Sequence, residues 1–188
     1  MEDVPNGSTY NDEKSELRKR LSALRGSVAD KQALSAVICA AAAKLVVGSV
    51  MVYVSIGTEV DTRPLLRELI SRSDVKLYAP YTTADGTIVP RTVVNIAAAD
   101  RRGNMAESAY GDDGRGAKKL DFCITPLLGF NEKGYRIGYG KGCYDRFFED
   151  VRVYKIGLAY ECQLARFAPE CHDVPLDCCV TEKKVIYF

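Results

Sequence analysis

The chain has 188 residues, a hydrophobic fraction of 47%, and 26 basic against 25 acidic side chains, which leaves a formal net charge of +1. This length is typical of one domain with a sizeable core. The near-neutral charge argues against a general nucleic-acid or membrane-surface function, and no apolar run approaches the ~20 residues that span a bilayer. We therefore expect neither nucleic acid nor membrane as a partner.

The first residues are polar and contain several acids, unlike a secretory signal or a transit peptide. We therefore expect a cytoplasmic protein, with a flexible N-terminus over residues 1–11. Seven cysteines, an odd number without a CxxC pair, argue against a disulfide framework. The residues that could suggest zinc fit no usual ligand spacing, and we expect reduced thiols and a structural histidine there: Cys171, His172, Cys178 and Cys179.

Helical and strand patterns alternate along the chain. Leucines at helical spacing predict a first helix over residues 12–25, with Lys14, Arg18 and Arg25 on its polar face. Asp30 is expected to cap a second helix. Asp61 and Thr62 are expected to cap a third helix that ends near residue 71, and residues 144–150 form a fourth. The predicted strands are residues 50–54, 75–79, 87–94, 120–125, 154–160 and 184–188.

This alternation predicts a single α/β domain over residues 12–188, with three layers and a mostly parallel central sheet flanked by helices. The apolar run at 50–54 is typical of a strand buried on both faces. Pro90 indicates an edge position for the strand over 87–94. Residues 98–119 show no period and are expected to form a mobile loop.

The segment Gly129–Phe148 carries the strongest chemical signal. Four glycines fall within nine residues, at positions 134, 138, 140 and 142. Such a loop lets backbone N–H groups approach an anion, and a helix that begins directly after it adds a positive dipole end. Arg136 and Lys141 add cations, and Asp145 adds a hard oxygen ligand, as Mg-ATP requires. The spacing fits neither a P-loop nor a dinucleotide fingerprint. From the residues alone, an ordinary glycine-rich turn with solvated charges is an equally good interpretation.

Residues 126–148 resemble the signature of 5-formyltetrahydrofolate cyclo-ligases, P-x-L-x-F-x-x-x-G-x-R-[LI]-G-x-G-x-G-x-Y-D. Three further segments match this family in order. Residues 14–18 resemble its K-x-x-L-R, residues 56–62 its E-[VI]-[DE]-T, and residues 172–177 its H-D-V-P-x-D, with a downstream T-E. The resemblance covers residues 12–188.

The resemblance implies an ATP-dependent closure of 5-formyltetrahydrofolate to 5,10-methenyltetrahydrofolate, with release of ADP and phosphate, in folate one-carbon metabolism. The formyl oxygen attacks the γ-phosphate, N10 attacks the activated carbon, and phosphate leaves. The expected partners are ATP and 5-formyltetrahydrofolate, with or without a polyglutamate tail. The expected cofactor is Mg²⁺, and we expect a monomer.

The resemblance also implies roles for individual residues. Catalytic roles fall to Arg136, Lys141 and Tyr144. The ATP-binding residues are Lys14, Arg18, Arg136, Gly138, Tyr139, Gly140, Lys141, Gly142, Cys143 and Tyr144. Glu59 binds the pterin part of the folate, at the carboxyl end of a buried strand, and Tyr144 faces the folate or formyl group. The magnesium ligands are Asp145 and Asp177.

Taken singly, these residues also fit plainer interpretations. Lys14 and Arg18 would suit a solvated helix face, Glu59 and Asp177 loop acids, Tyr144 a core aromatic, and Asp145 a carboxylate at a helix N-terminus.

Two departures from the family pattern concern Cys143, which replaces an aromatic residue, and a missing Gly-Ile-x-Glu-Pro element, for which Glu107 is the best counterpart. The rival functions are a sugar-phosphate isomerase or transferase, a catalytically silent relative that binds a nucleotide or polyglutamate, and a nucleic-acid module at the basic run 18–20.

Overall fold

In the computed structural model, residues 7–97, 105–111 and 119–188 are described, with side chains from residue 13 onward. The helices are α1 (Gly7–Ser27), α2 (Lys31–Ala43), α3 (Arg63–Ile70) and α4 (Cys143–Asp150). The strands are β1 (Gly48–Val52), β2 (Val75–Thr82), β3 (Ile88–Thr92), β4 (Phe122–Thr125), β5 (Gly129–Phe130), β6 (Arg136–Ile137), β7 (Tyr154–Leu158), β8 (Cys178–Val180) and β9 (Val185–Tyr187). Short 3-10 turns cover Glu107–Ala109 and Glu161–Gln163.

Seven strands form the central sheet in the order β3-β2-β1-β4-β7-β8-β9. The five inner strands are mutually parallel, and β3 and β9 close the two edges antiparallel. Strands β5 and β6 form a separate antiparallel hairpin. The predicted α/β fold with a mostly parallel sheet is confirmed. Pro90 lies in the edge strand β3, as its missing N–H predicts.

Helices cover both faces of the sheet because the inner strands are apolar on both faces. Val50 and Val52 belong to the core beneath α2 and α3. Met51, which points to the opposite face, packs in a second cluster with Phe147 and Phe148 of α4. Helix α1 packs through its leucines on the β5–β6 hairpin rather than on the sheet itself.

The start of α1 and the capping of α2 differ from the sequence predictions. Helix α1 begins at Gly7 rather than at residue 12, so part of the predicted flexible N-terminus is helical. Asp30 precedes α2, but its side chain makes no capping hydrogen bond, so that prediction is wrong. Its φ of 50° is left-handed, a conformation that Asp tolerates in the short connection from α1 to α2.

Helix α3 begins where the sequence predicts, but only one of the two expected capping residues bonds to its first turn. The Asp61 carboxylate accepts a hydrogen bond from the Arg63 N–H at 3.1 Å. The Thr62 hydroxyl instead donates to the Tyr53 carbonyl at 2.7 Å, so it ties the helix start to β1. The expected cap is therefore confirmed for Asp61 and wrong for Thr62.

Two predicted segments extend beyond the described residues. Residues 1–6 of the expected flexible N-terminus lie outside them, as do 98–104 and 112–118 of the expected loop. The intervening residues 105–111 run along β3, where Tyr110 forms a β-bridge with Val93. Among the helices that the structure describes, none has the length and apolar character that crossing a bilayer requires.

Candidate functional site

A cavity of about 220 Å³ opens at the carboxyl ends of β1, β2 and β4. The sheet order reverses at β1, which has β2 on one side and β4 on the other, and ligands bind at such switch points in open α/β sheets. Its lining residues are Tyr53, Val54, Ile56, Glu59, Pro80, Thr82, Met105, Tyr110, Pro126, Tyr139 and Tyr144. A wider, open depression of about 650 Å³ lies at the other end of the strands, where β1, β4 and β7 begin. It contains none of the predicted site residues.

Glu59 is a buried acid of this cavity rather than an exposed loop acid, with 7% of its surface accessible. One carboxylate oxygen, Oε2, accepts a hydrogen bond from the Ile56 N–H at 2.8 Å. The other, Oε1, accepts from the Tyr139 hydroxyl at 2.9 Å. Burial raises the pKa of the Glu59 carboxyl, and these two hydrogen bonds and the charge of Arg25 partly offset that rise. Burial therefore disfavours the charged carboxylate of Glu59, while its hydrogen bonds and Arg25 favour it.

Arg25 belongs to this site although the sequence pattern placed it on a solvated helix face. It is 3% exposed. Its Nη2 donates to the Tyr139 hydroxyl at 2.7 Å, its Nε to Thr58 Oγ1 at 3.0 Å, and its Nη1 to the Leu127 carbonyl at 3.0 Å. Its position was the available signal, because it falls one helical turn after Leu21 on the face that packs inward.

The glycine-rich loop turns sharply just before α4. Gly140 has a φ of 90°, and Gly142, which directly precedes the helix, has a φ of 63°, so both adopt the left-handed conformation that favours glycine. Arg18 lies along this loop, and its Nε donates to the Gly138 carbonyl at 3.2 Å. Arg146, which the sequence did not single out, donates to the Lys141 carbonyl at 2.9 Å. The first N–H groups of α4 lack partners within the helix and are available to an anion.

Arg136 and Asp145 form an ion pair that joins β6 to the first turn of α4, at 2.9 Å. The Arg136 side chain is buried and also donates to the Val174 carbonyl at 2.8 Å. The Val174 N–H in turn donates to Asp145 Oδ1 at 3.3 Å. Asp145 Oδ2 makes no hydrogen bond within the described part of the chain, so it is the oxygen that could face a cation.

Lys14 is also buried, at 8% exposure, and contacts acids far away in the sequence. Its ammonium lies 2.7 Å from Glu170 Oε1 and 3.4 Å from Asp173 Oδ2. His172, which we expected to be structural, pairs with the other Glu170 oxygen at 3.0 Å. Glu170, His172 and Asp173 lie close enough together to share a metal ion. No other group of three His, Cys, Asp or Glu side chains in the described part of the chain does so.

The other predicted residues have mixed surroundings. Lys141 is exposed, and its side chain makes no hydrogen bond or ion pair with the described part of the chain, whereas its carbonyl accepts from Arg146. Tyr144 lines the cavity and packs against Phe148, and burial raises the pKa of its hydroxyl well above the usual range. Cys143 Sγ lies 3.7 Å from Arg146 Nη2. Asp177 lies at the amino end of β8, pairs with Lys155 at 2.8 Å, and shares no contact with Asp145.

The residues that could suggest zinc, Cys171, His172, Cys178 and Cys179, do not form a cluster among the described residues. All seven cysteines are free thiols. Cys178 and Cys179 are buried in β8, whereas Cys171 is exposed, so the residues that could have suggested zinc do not converge.

Comparisons with known proteins agree with this geometry. The model of the 5-formyltetrahydrofolate cyclo-ligase family matches residues 10–182. The 5-formyltetrahydrofolate cyclo-ligase of Escherichia coli (strain K12) is 32% identical over 155 residues, covering 73% of this chain and 79% of the relative. That of Mus musculus is 25% identical over 148 residues, covering 68% of this chain and 70% of the relative.

Solved structures show the same fold. The 5,10-methenyltetrahydrofolate synthetase of Aquifex aeolicus superposes with a TM-score of 0.74 and 30% identity, covering 93% of this chain and 92% of that chain. The synthetase from Mycoplasma pneumoniae gives a TM-score of 0.70 and 25% identity, covering 90% and 98%. The family match over most of the chain, the relatives and the shared fold lead to one conclusion: the chain belongs to the 5-formyltetrahydrofolate cyclo-ligase family.

Proposed function

We propose that this protein is a ligase that uses ATP to close 5-formyltetrahydrofolate to 5,10-methenyltetrahydrofolate, with release of ADP and phosphate, in folate one-carbon metabolism. One observation carries the proposal. Tyr139 and Tyr144 of the glycine-rich segment line the same cavity as the buried acid Glu59. An anion-binding loop and a cavity for a ring system that donates hydrogen bonds therefore meet at one place.

The cavity suits one end of a folate. Its volume of about 220 Å³ is below the ~300–1,000 Å³ of a cleft that encloses a whole drug-sized ligand. The pterin would enter it and donate N–H groups to Glu59, and the remainder of the molecule would extend outward. Tyr144 would pack beside the reacting formyl group, because its ring faces the cavity from the start of α4.

ATP would lie along the glycine-rich loop. The N–H groups from Gly138 to Tyr144 would contact the phosphates, and Arg18 and Lys141 would neutralise their charge. Lys14 and Arg136 would contribute further positive charge, with Glu170 holding the Lys14 ammonium and Asp145 holding the Arg136 guanidinium. Transfer of the γ-phosphoryl group to the formyl oxygen needs mainly positioning and charge neutralisation, and these side chains supply both.

The proposed cofactor is Mg²⁺, with Asp145 as the first protein ligand. Asp145 Oδ2 has no hydrogen bond in the described ranges, and Mg²⁺ commonly takes one or two carboxylates together with phosphate and water oxygens. Bound there, Mg²⁺ would neutralise phosphate charge. Asp177 is the proposed second carboxylate, and it would have to serve the metal while paired with Lys155. A cytoplasmic location, a monomeric state and the use of polyglutamylated folate stay predictions.

The test is a rise in near-ultraviolet absorbance of the methenyl product when the protein is mixed with 5-formyltetrahydrofolate and Mg-ATP. We expect no rise without ATP or with a chelator of divalent cations. A folded protein that forms no methenyl product but acts on a sugar phosphate without ATP would favour the isomerase or transferase alternative. A folded protein that binds ATP in calorimetry but forms no product would be the silent relative instead.

A further inference from the structure

The Tyr139 hydroxyl lies between Arg25 and Glu59, and chemistry fixes the direction of both hydrogen bonds. The Arg25 guanidinium has only donors, so at 2.7 Å the Tyr139 oxygen must accept from it. The single Tyr139 proton is then left for Glu59 Oε1, at 2.9 Å. Arginine, tyrosine and glutamate thus form a directed chain that ends on the cavity acid.

This chain favours the ionised form of Glu59. Both of its oxygens accept hydrogen bonds, one from Tyr139 and the other from the Ile56 N–H. Burial acts in the opposite direction, and Arg25 supplies the positive charge that counters it. The groups that face Glu59 are the Ile56 N–H, Arg25, and the phenols Tyr53, Tyr139 and Tyr144.

Arg25 is itself held in place on three sides. Its Nε donates to Thr58 next to Glu59, and its Nη1 donates to the carbonyl of Leu127 beyond β4. Its Nη2 meets Tyr139, which belongs to the glycine-rich loop. One side chain of α1 therefore connects the folate cavity with the proposed nucleotide loop.

We propose that Arg25 is a positioning residue for the substrate, which acts through the Tyr139 hydroxyl to keep the Glu59 carboxylate oriented toward the cavity. This inference rests on the proposed function, because it takes Glu59 as the ligand of the folate. It also makes Tyr139 a specificity residue through its side chain, whereas the family resemblance implied only a role for it in the nucleotide loop.

The first experiment compares Arg25→Met, Arg25→Lys and Tyr139→Phe by steady-state kinetics from pH 6 to 8. Loss of a hydrogen bond to a charged group should raise the KM for 5-formyltetrahydrofolate on the order of tenfold in Arg25→Met and Tyr139→Phe. The KM for ATP should change less. The KM rise should steepen toward low pH, because Glu59 then accepts a proton more readily. Arg25→Lys keeps the charge and should recover part of the loss.

A double-mutant cycle tests the route. If Arg25 acts through Tyr139, adding Arg25→Met to Tyr139→Phe should raise the KM much less than it does in the wild type. Fully additive effects would overturn the inference, as would an unchanged folate KM in both single variants. Tyr139 is half exposed, so Tyr139→Phe gives a folded protein even if Arg25→Met does not.

The matched control is Arg72→Met at the other end of the sheet. Arg72 donates to the main-chain carbonyls of Ala43 at 2.7 Å and Val46 at 3.0 Å, as Arg25 does to that of Leu127. This variant should lower the Tm while leaving the folate KM unchanged. An equal rise in KM in the Arg72 and Arg25 variants would reduce Arg25 to a structural residue.

A measurement without substrate separates this inference from the proposed function. The titration of the Glu59 carboxyl can be followed by carbon NMR of the glutamate side chains, with Glu59→Gln for assignment. Arg25→Met and Tyr139→Phe should both move that titration to higher pH. If the Glu59 titration shifts in the variants but the wild type forms no methenyl product, the proposed function is wrong and the Arg25–Tyr139–Glu59 coupling still holds. An active wild type in which neither titration nor KM moves in the variants would overturn the inference.

Discussion

Arg136 and Asp145 neutralise each other across the joint between the β5–β6 hairpin and α4, at 2.9 Å. The arginine side chain is 5% exposed and the aspartate 21%. The Arg136 guanidinium also lies 5.2 Å from the centre of the Phe148 ring, so it is enclosed by protein on several sides. Asp145 therefore compensates a buried charge, and under the proposed function its second oxygen would also bind Mg²⁺.

These two functions can be separated by substitution. Asp145→Ala should abolish activity and also destabilise the fold by about 3–5 kcal/mol, because a buried charge loses its partner. Asp145→Asn keeps an acceptor for Arg136, so it should lose Mg²⁺-dependent activity with a smaller drop in Tm. Thermal unfolding and a magnesium titration of the initial rate measure both effects. Asp177→Asn is the companion variant, and an unchanged magnesium dependence there would remove Asp177 from the metal site.

Glu59 should limit the stability of the fold at neutral pH. Its pKa is raised in the folded state, so the stability associated with its protonated form is fully present below the unfolded pKa of about 4.3 and is lost as pH rises through the folded pKa. Glu59→Gln should therefore have a higher Tm than the wild type at pH 7, and the difference should vanish near pH 4. The same variant should bind folate poorly. Glu149→Gln, an exposed substitution on α4, is the control, and an equal Tm gain in it would contradict the burial argument.

Lys141 should affect nucleotide binding without affecting stability. Its side chain is exposed and makes no hydrogen bond or ion pair with the described part of the chain. Lys141→Ala should raise the KM for ATP on the order of tenfold, since a hydrogen bond to a charged phosphate is lost, with Tm unchanged. Lys133→Ala removes another exposed lysine of the same segment and should leave the KM for ATP as it is. Equal effects in the two variants would indicate general electrostatic attraction rather than a specific contact.

Arg91 should set the shape of the folate cavity from outside it. Its guanidinium lies 4.2 Å from the centre of the Tyr110 ring and 2.7 Å from Glu107. It therefore fastens the segment that brings Met105 and Tyr110 to the cavity wall. Arg91→Met should raise the KM for the folate substrate more than the KM for ATP, as measured by initial rates.

Glu107 is the natural comparison for Arg91. Its side chain is 75% exposed, and ion pairs so open to solvent contribute little to stability. Glu107→Gln should accordingly change the folate KM less than Arg91→Met. A larger effect from Glu107→Gln would mean that Glu107 itself contacts the substrate.

The sequence predicts the fold well where the pattern of apolar residues is long enough. β1 was predictable because an apolar run rich in β-branched residues is typical of a buried parallel strand. β8 was missed because Cys178–Val180 is too short to show a period, and its strand pairing with β7 is a property of the whole sheet. The capping hydrogen bond expected from Asp30 is absent. Aspartate is common both at capping positions and in left-handed turns, so the residue type alone does not separate the two.

The site divides in the same way. The family resemblance identified Glu59. The sequence also placed it after a buried parallel strand, and the carboxyl ends of such strands line the cavity at the switch point of the sheet. Arg25 and the Tyr139 hydroxyl were missed because their importance comes from contacts between α1 and residues far along the chain. Lys14 likewise looked solvated, and only the fold brings Glu170 to it.

Helix α1 holds cations for both proposed substrates, yet from residue 13 onward, where its side chains are described, its apolar contacts belong to a small cluster around Leu21. A helix attached in this way can detach while the sheet remains folded, as a unit of local unfolding. Such an opening would remove Arg18 and Arg25 from the two sites together. Substrates that bind only the attached form would in turn favour it by mass action, so catalytic competence and the docking of α1 become one equilibrium.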